Sequence, residues 1–160
     1  MRSIVVLLFL IFMGSTLNAQ DKSNLSDVKS ATLRLKPGED LKLILDAYIK
    51  FNEIKAACIL SCAGSLQVAS IRFADQKETN ILKEKFEIVS LSGTLSVNGS
   101  HLHISISDSN GKTMGGHLKE GSIVYTTAEI VIGIFPDLIY TREQDDTYGY
   151  KELKVNTIKE

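Results

Sequence analysis

The sequence predicts an α+β domain, with one helix packed on a mostly antiparallel, twisted sheet. Three observations carry this. Apolar residues recur at spacings of three and four in one stretch only, the remaining chain runs in short segments rich in Ile, Val, Phe and Thr, and Gly, Ser and Asn divide those segments. An all-β sandwich is the alternative if that one stretch is not a helix.

The first residues bear on compartment. Arg2 is followed by ten unbroken apolar residues, Ile4 to Met13, and then by the small residues Gly14, Ser15 and Ala19. That order is the grammar of a secretory signal peptide over residues 1–19, cleaved after Ala19, although Leu17 is large for its position. It implies a secreted or periplasmic protein. Crossing a bilayer takes about 20 apolar residues, so no permanent membrane span is expected; a buried N-terminal strand or helix is the structural alternative. Residues 20–30 (QDKSNLSDVKS) are polar and aperiodic, as in a flexible leader.

The domain proper is expected over residues 31–135, with 136–160 a C-terminal strand and tail that complete it. Thr32 to Lys36 alternates as a strand does, and Pro37-Gly38 ends it. From Glu39 onward, Leu41, Ile44, Leu45, Tyr48 and Ile49 mark an amphipathic helix whose N-terminus is favoured by Glu39 and Asp40. Strands follow near 56–63, 66–74, 86–96, 101–107, 113–118 and 122–135, with Asn98-Gly99 and Asn110-Gly111 as hairpin turns. The charged segment 75–85 (DQKETNILKEK) reads as a loop or a short helix, and 138–142 and 150–155 as edge strands around the acidic run Glu143 to Asp146. Ile123 to Phe135 is more apolar than a half-exposed strand requires, which suggests a second face covered by another subunit.

Charge argues against nucleic acid as a partner. The 160 residues carry 18 basic and 19 acidic side chains, and loss of Arg2 with the signal leaves a mature chain of net charge −2. Such a balance lacks the basic footprint that neutralises phosphates. Cys58 and Cys62, the only cysteines, match neither a redox pair nor a zinc knuckle. On one extended strand they would stand ~13 Å apart, too far for a disulfide, and they read as small core residues; a disulfide would need a tight turn between them.

The three histidines fall within 17 residues: His101, His103 and His117. In a strand, His101 and His103 share one face about 7 Å apart, and the turn at Asn110-Gly111 can bring His117 alongside. Gly115 and Gly116 remove bulk where a backbone and a ligand need close approach. Three converging imidazoles with one position open is a geometry used by catalytic zinc, the first choice of metal, with iron, nickel and copper as alternatives. The same histidines could instead be hydrogen-bonded polar residues on a solvated face, or an interface cluster. Glu129 is a candidate fourth ligand or base, or equally an interface carboxylate.

No specific catalytic motif appears. Ser61 and Ser65 flank Ala63-Gly64, which is not a nucleophile elbow, and the glycines form no phosphate loop. Arg34 and Arg72 could bind an anion, although single strand arginines more often serve as surface ion-pair partners.

The succession LRLKPGEDL (33–41), AACILSCAGSLQVASIRFA (56–74), FEIVSLSGTLSVNGSHLHISISDSNGKTMGGHL (86–118) and GSIVYTTAEIVIG (121–133) resembles the plants-and-prokaryotes conserved (PPC) domain over about residues 31–135. The resemblance implies an α+β fold assembled as a homotrimer. It also implies that His101, His103 and His117 occupy the H-x-H…G-G-H pattern of prokaryotic members, for which metal binding has been suspected. Plant members join this domain to an AT-hook, where it serves self-association and partner contacts. No R-G-R-P core of an AT-hook occurs here, so a DNA-binding label would be inherited from those relatives rather than carried by these residues. Two readings follow: an exported homotrimer that binds a metal or a small-molecule ligand, and a structural or interaction module without chemistry.

The export reading has a direct check. Fractionation and N-terminal sequencing should find a mature chain beginning near Gln20 outside the cytoplasm, and recovery of the full-length chain in the cytoplasm would overturn it.

Overall fold

A computed structural model describes residues 24–147 and 149–158. The signal-peptide reading of residues 1–19 and the first part of the leader lie outside these residues. Among the described residues, no helix is long and apolar enough to cross a membrane.

The chain runs β1 (Lys29–Leu35), α1 (Leu41–Phe51), β2 (Ala57–Arg72), β3 (Asn80–Leu82), β4 (Phe86–Leu95), β5 (His101–Ser107), β6 (Thr113–Leu118), β7 (Ile123–Ile134), β8 (Leu138–Gln144) and β9 (Lys151–Thr157). Seven strands form one antiparallel sheet in the order β1-β7-β2-β4-β5-β6, with β3 on β2, while β8 and β9 pair separately. The α+β expectation therefore holds, and the all-β alternative falls with the helix in place.

The helix begins where its sequence says it should. Asp40 is the N-cap, its Oδ1 accepting from the backbone N–H groups of Lys42 and Leu43, both at 3.0 Å, which satisfies two donors left free at a helix start. Its Oδ2 accepts from Gly121 N–H at 2.6 Å, so one carboxylate ties the helix to the loop before β7. Leu41, Leu45 and Ile49, one turn apart, are buried, and each such side chain contributes ~1.5–3 kcal/mol of burial.

Strand β2 organises the sheet. The sequence reads two strands here, broken near Gly64-Ser65, whereas the structure has one of 16 residues. It survives the break because register shifts against β7 absorb the mismatch between Ile59 and Ser61 and again around Leu66. One side of β2 pairs first with β7 and then with β6, through Ile71 opposite Leu118 and Arg72 opposite His117. The other side pairs with β4 and β3. Since β4 pairs with β5 and β5 with β6, strands β2, β4, β5 and β6 close on themselves around Leu66, Ile71, Phe86, Leu95, Ile104 and Ile106, all buried.

Three smaller expectations change. Segment 75–85 is neither wholly loop nor helix, since it contains the three-residue β3. Strand β1 starts at Lys29, inside the stretch read as leader. Cys58 and Cys62 are half-buried free thiols rather than full core residues. In β7, Val124, Ala128, Ile130 and Ile132 point into the core, while the opposite face presents Tyr125, Thr127, Glu129 and Val131. Both hairpin turns are where expected: Gly99 and Ser96 exchange backbone hydrogen bonds, and Asp108 Oδ1 accepts from Asn110 and Lys112 N–H.

Gly93 and Gly99 separate two costs of adding a methyl group. Both have strongly positive φ, 131° and 124°, but a Cβ at Gly93 would lie 2.0 Å from His101 O, whereas at Gly99 nothing lies within 4 Å. Gly99→Ala should thus cost ~1–2 kcal/mol of backbone strain, and Gly93→Ala about 3 kcal/mol or more because strand β5 must also move. Denaturant midpoints would check this; equal losses would contradict it.

Candidate metal centre

The three histidines meet on the outer face of the closed sheet. In β5, Leu102, Ile104 and Ile106 point inward and are buried, which leaves His101 and His103 on the solvent side by the two-residue period of a strand. His117 in β6 is the cross-strand partner of His103. Its Nδ1 lies 3.1 Å from His101 Nε2 and 3.2 Å from His103 Nε2, and the three ligand atoms all fall within 4.8 Å of one another.

These separations suit a metal. Tetrahedral zinc with Zn–N bonds of ~2.0–2.1 Å places its nitrogens about 3.3 Å apart, close to the two shorter distances here. Rings His101 and His117 are stacked, with centroids 5.1 Å apart and 12° between planes, and His103 stands edge-on to both. Three nitrogens thus point to one region from two adjacent strands.

The electrostatics favour neutral rings. Burial, with Arg72, the other two histidines and Lys119, lowers the His117 pKa to about 4. Burial, Arg142, His103 and Arg72 lower that of His101, against an opposing pull from Glu152. Neutral imidazole is the form that ligates. The cysteines do not compete: burial raises both thiols, Cys62 to about 11, so they remain protonated at neutral pH.

Other expectations at the site need correction. Gly115 and Gly116 leave room for strands rather than for a ligand. A Cβ on Gly115 would stand 2.5 Å from Ile104 O, and one on Gly116 2.5 Å from Arg72 O, so the pair lets β6 approach β5 and β2. Glu129 is not at the centre. It sits opposite Ala63 of β2, nine residues and about 30 Å along the strand from Arg72, which is opposite His117. Ser65 is structural, its hydroxyl 2.7 Å from that of Thr126, and Arg34 donates from Nε to Thr127 Oγ1.

Of the two arginines singled out as anion binders, Arg72 does reach the site; it lines a cavity of about 580 Å³ beside His101 and His117. The C-terminal hairpin β8–β9 supplies the other wall with Arg142, Lys151 and Glu152. That hairpin is anchored at Tyr140, whose backbone N–H donates to Lys55 O and whose carbonyl accepts from Asn98 Nδ2 at 2.8 Å. Arg142 then donates through Nη2 to Thr94 Oγ1 at 2.8 Å and places Nη1 3.4 Å from His101 Nδ1. Sequence reasoning missed Arg142, because nothing in a short polar strand signals which distant residue it will touch.

The profile of the Plants and Prokaryotes Conserved (PCC) domain matches residues 22–136. Among solved structures, a hypothetical protein from Salmonella cholerae-suis is 40% identical and superposes with a TM-score of 0.82, over 84% of this chain and 97% of its own. A metal-containing protein from Archaeoglobus fulgidus is 28% identical with a TM-score of 0.72, over 82% of this chain and 97% of its own. The bifunctional protein GlmU of Synechococcus sp. (strain JA-3-3Ab) is 43% identical over 128 residues, 80% of this chain, but the chain spans only about a fifth (21%) of that relative's length. The match covers the sheet, the helix and all three histidines, and the chain therefore belongs to the Plants and Prokaryotes Conserved domain family.

Proposed function

We propose that this protein binds a divalent metal, zinc first and iron, nickel or copper as alternatives, through His101, His103 and His117. The observation that carries the reading is the approach of His101 Nε2 and His103 Nε2 to His117 Nδ1 at 3.1 and 3.2 Å. The lowered pKa values of His101 and His117 support it, because they keep both rings available as ligands. The metal content of the Archaeoglobus neighbour supports it by analogy. A metal there would supply Lewis acidity next to the cavity; the chain itself supplies ring orientation through the β5–β6 pairing and a cationic wall through Arg72 and Arg142.

A second reading also has an observation behind it. His117 Nδ1 lies within hydrogen-bond reach of both neighbouring rings, so the cluster can satisfy itself in an interaction module without chemistry. Metal analysis separates the two. Untagged protein should take up about one equivalent, and His103→Ala should lose most of it while keeping the fold, since His103 lies outside the core. Zinc at a hundred times its dissociation constant should stabilise the wild type by ~2.7 kcal/mol and leave the variant unchanged. Equal uptake by both proteins would overturn the assignment.

The pH response has a definite sign. With their native pKa values lowered, His101 and His117 bind fewer protons in the folded than in the unfolded chain below about pH 6.5. Apo stability is therefore full above that pH and falls as pH drops toward about 4, where His117 protonates. Zinc affinity should decline over the same window, later than for unperturbed imidazoles. Urea unfolding and zinc titration between pH 7 and 4 would check both; stability that rises on acidification would contradict the account.

We also propose that the chain assembles as a homotrimer. Leu60, 55% exposed, and Phe51, 87% exposed, support this as apolar surface that one subunit leaves uncovered. Light scattering should return about three times the monomer mass, with on the order of 1,000 Å² or more buried per subunit. A persistent monomer at micromolar concentration would refute it.

A further inference from the structure

The cavity beside the centre, about 580 Å³, is within the ~300–1,000 Å³ range of small-molecule sites. Among the described residues, its charged lining is four cations, Arg72, Lys119, Arg142 and Lys151, against two acids, Asp75 and Glu152. This is a local positive excess in a chain of formal net charge −1. Imidazoles contribute no negative charge, so a dication held by them would add to that excess rather than relieve it. A ligand carrying negative charge is what such a site lacks.

The hydrogen-bond arrangement of Arg142 points the same way. A guanidinium only donates, so His101 Nδ1, 3.4 Å from Arg142 Nη1, accepts, and the neutral ring carries its proton on Nε2, facing His117 Nδ1. A metal held through Nε2 would leave that proton on Nδ1, and His101 Nδ1–H and Arg142 Nη1–H would then both be donors at the cavity edge. Arg142 remains anchored through Nη2 to Thr94 Oγ1, so its free edge stays at the cavity.

From this geometry we infer that the cavity binds an organic oxyanion, a carboxylate or a phosphate ester, whose acidic oxygen accepts from Arg142 and His101 beside the metal. The inference rests on the metal reading above. The cavity has room for an organic body beside the anionic group, and Lys119, Lys151 and Arg72 provide further cationic contacts for a doubly charged group.

The test uses the untagged full chain loaded with Co(II), whose visible spectrum reports both metal uptake and changes at the metal. Phenyl phosphate and benzoate are titrated as probes, with benzyl alcohol as the neutral control. At least one oxyanion should perturb the spectrum and the alcohol should not; which oxyanion binds tighter distinguishes the two ligand chemistries. Arg142→Gln should weaken oxyanion binding by about 10- to 100-fold, the worth of a charge-assisted hydrogen bond, while the variant still takes up about one equivalent of cobalt. Arg142→Lys should restore part of the loss. Cobalt uptake with no oxyanion response, or an unchanged oxyanion affinity in Arg142→Gln, overturns this inference alone. No cobalt uptake overturns the metal reading and this one with it.

Discussion

The return of β6 to β2 is the constraint on which the candidate centre depends. Ile71 pairs with Leu118 and Arg72 with His117 at the far end of a 16-residue strand whose other half is occupied by β4 and β7. The approach is close enough that a Cβ on Gly116 would meet Arg72 O at 2.5 Å and the Ile71 side chain at 2.9 Å. This pairing fixes His117 between two elements: β5, which carries the other histidines, and β2, which carries a guanidinium. The hydrophobic interior of the closed strands holds that placement, since inward Leu102 and Ile104 determine that His101 and His103 face out.

The chemistry follows from this placement and from what surrounds it. Partial burial and cationic neighbours hold His117 and His101 neutral, which prepares nitrogen lone pairs, while those cations make the region inhospitable to a bare dication. The C-terminal hairpin adds Arg142 and Lys151 to that cationic surround and, with Glu152, forms a cavity wall beside it, where a bound anion would offset the excess. The sheet provides the histidines and the hairpin β8–β9 provides Arg142, Lys151 and Glu152.

The legible parts of the sequence were those governed by local periodicity. Leu41, Leu45 and Ile49 identified the helix, and the alternation around Leu102 and Ile104 put two histidines on one face. Gly64-Ser65 misled because glycine and serine usually punctuate. Here Gly64 lies against the Thr127 backbone, where a Cβ would be 2.2 Å from the carbonyl oxygen, and Ser65 bonds Thr126, so the strand continues through both while its register against β7 shifts. The double glycine at 115–116 signalled close approach correctly, but sequence could not say that the approaching partner was backbone. Glu129 shared a strand with no histidine, and only the pairing of β7 with the opposite half of β2 shows how far away it is. Arg142 and Lys151 sit in polar strands with no pattern of their own, and tertiary contact alone brings them to the site.

The direct test of the central claim is zinc K-edge X-ray absorption on the untagged, zinc-loaded protein. Three protein nitrogens in the first shell at ~2.0–2.1 Å, with the outer-shell scattering of imidazole rings, are the result this account predicts. A first shell containing sulfur at ~2.3 Å would place the metal at a cysteine instead, and fewer than two imidazoles would mean that the histidines do not form the centre.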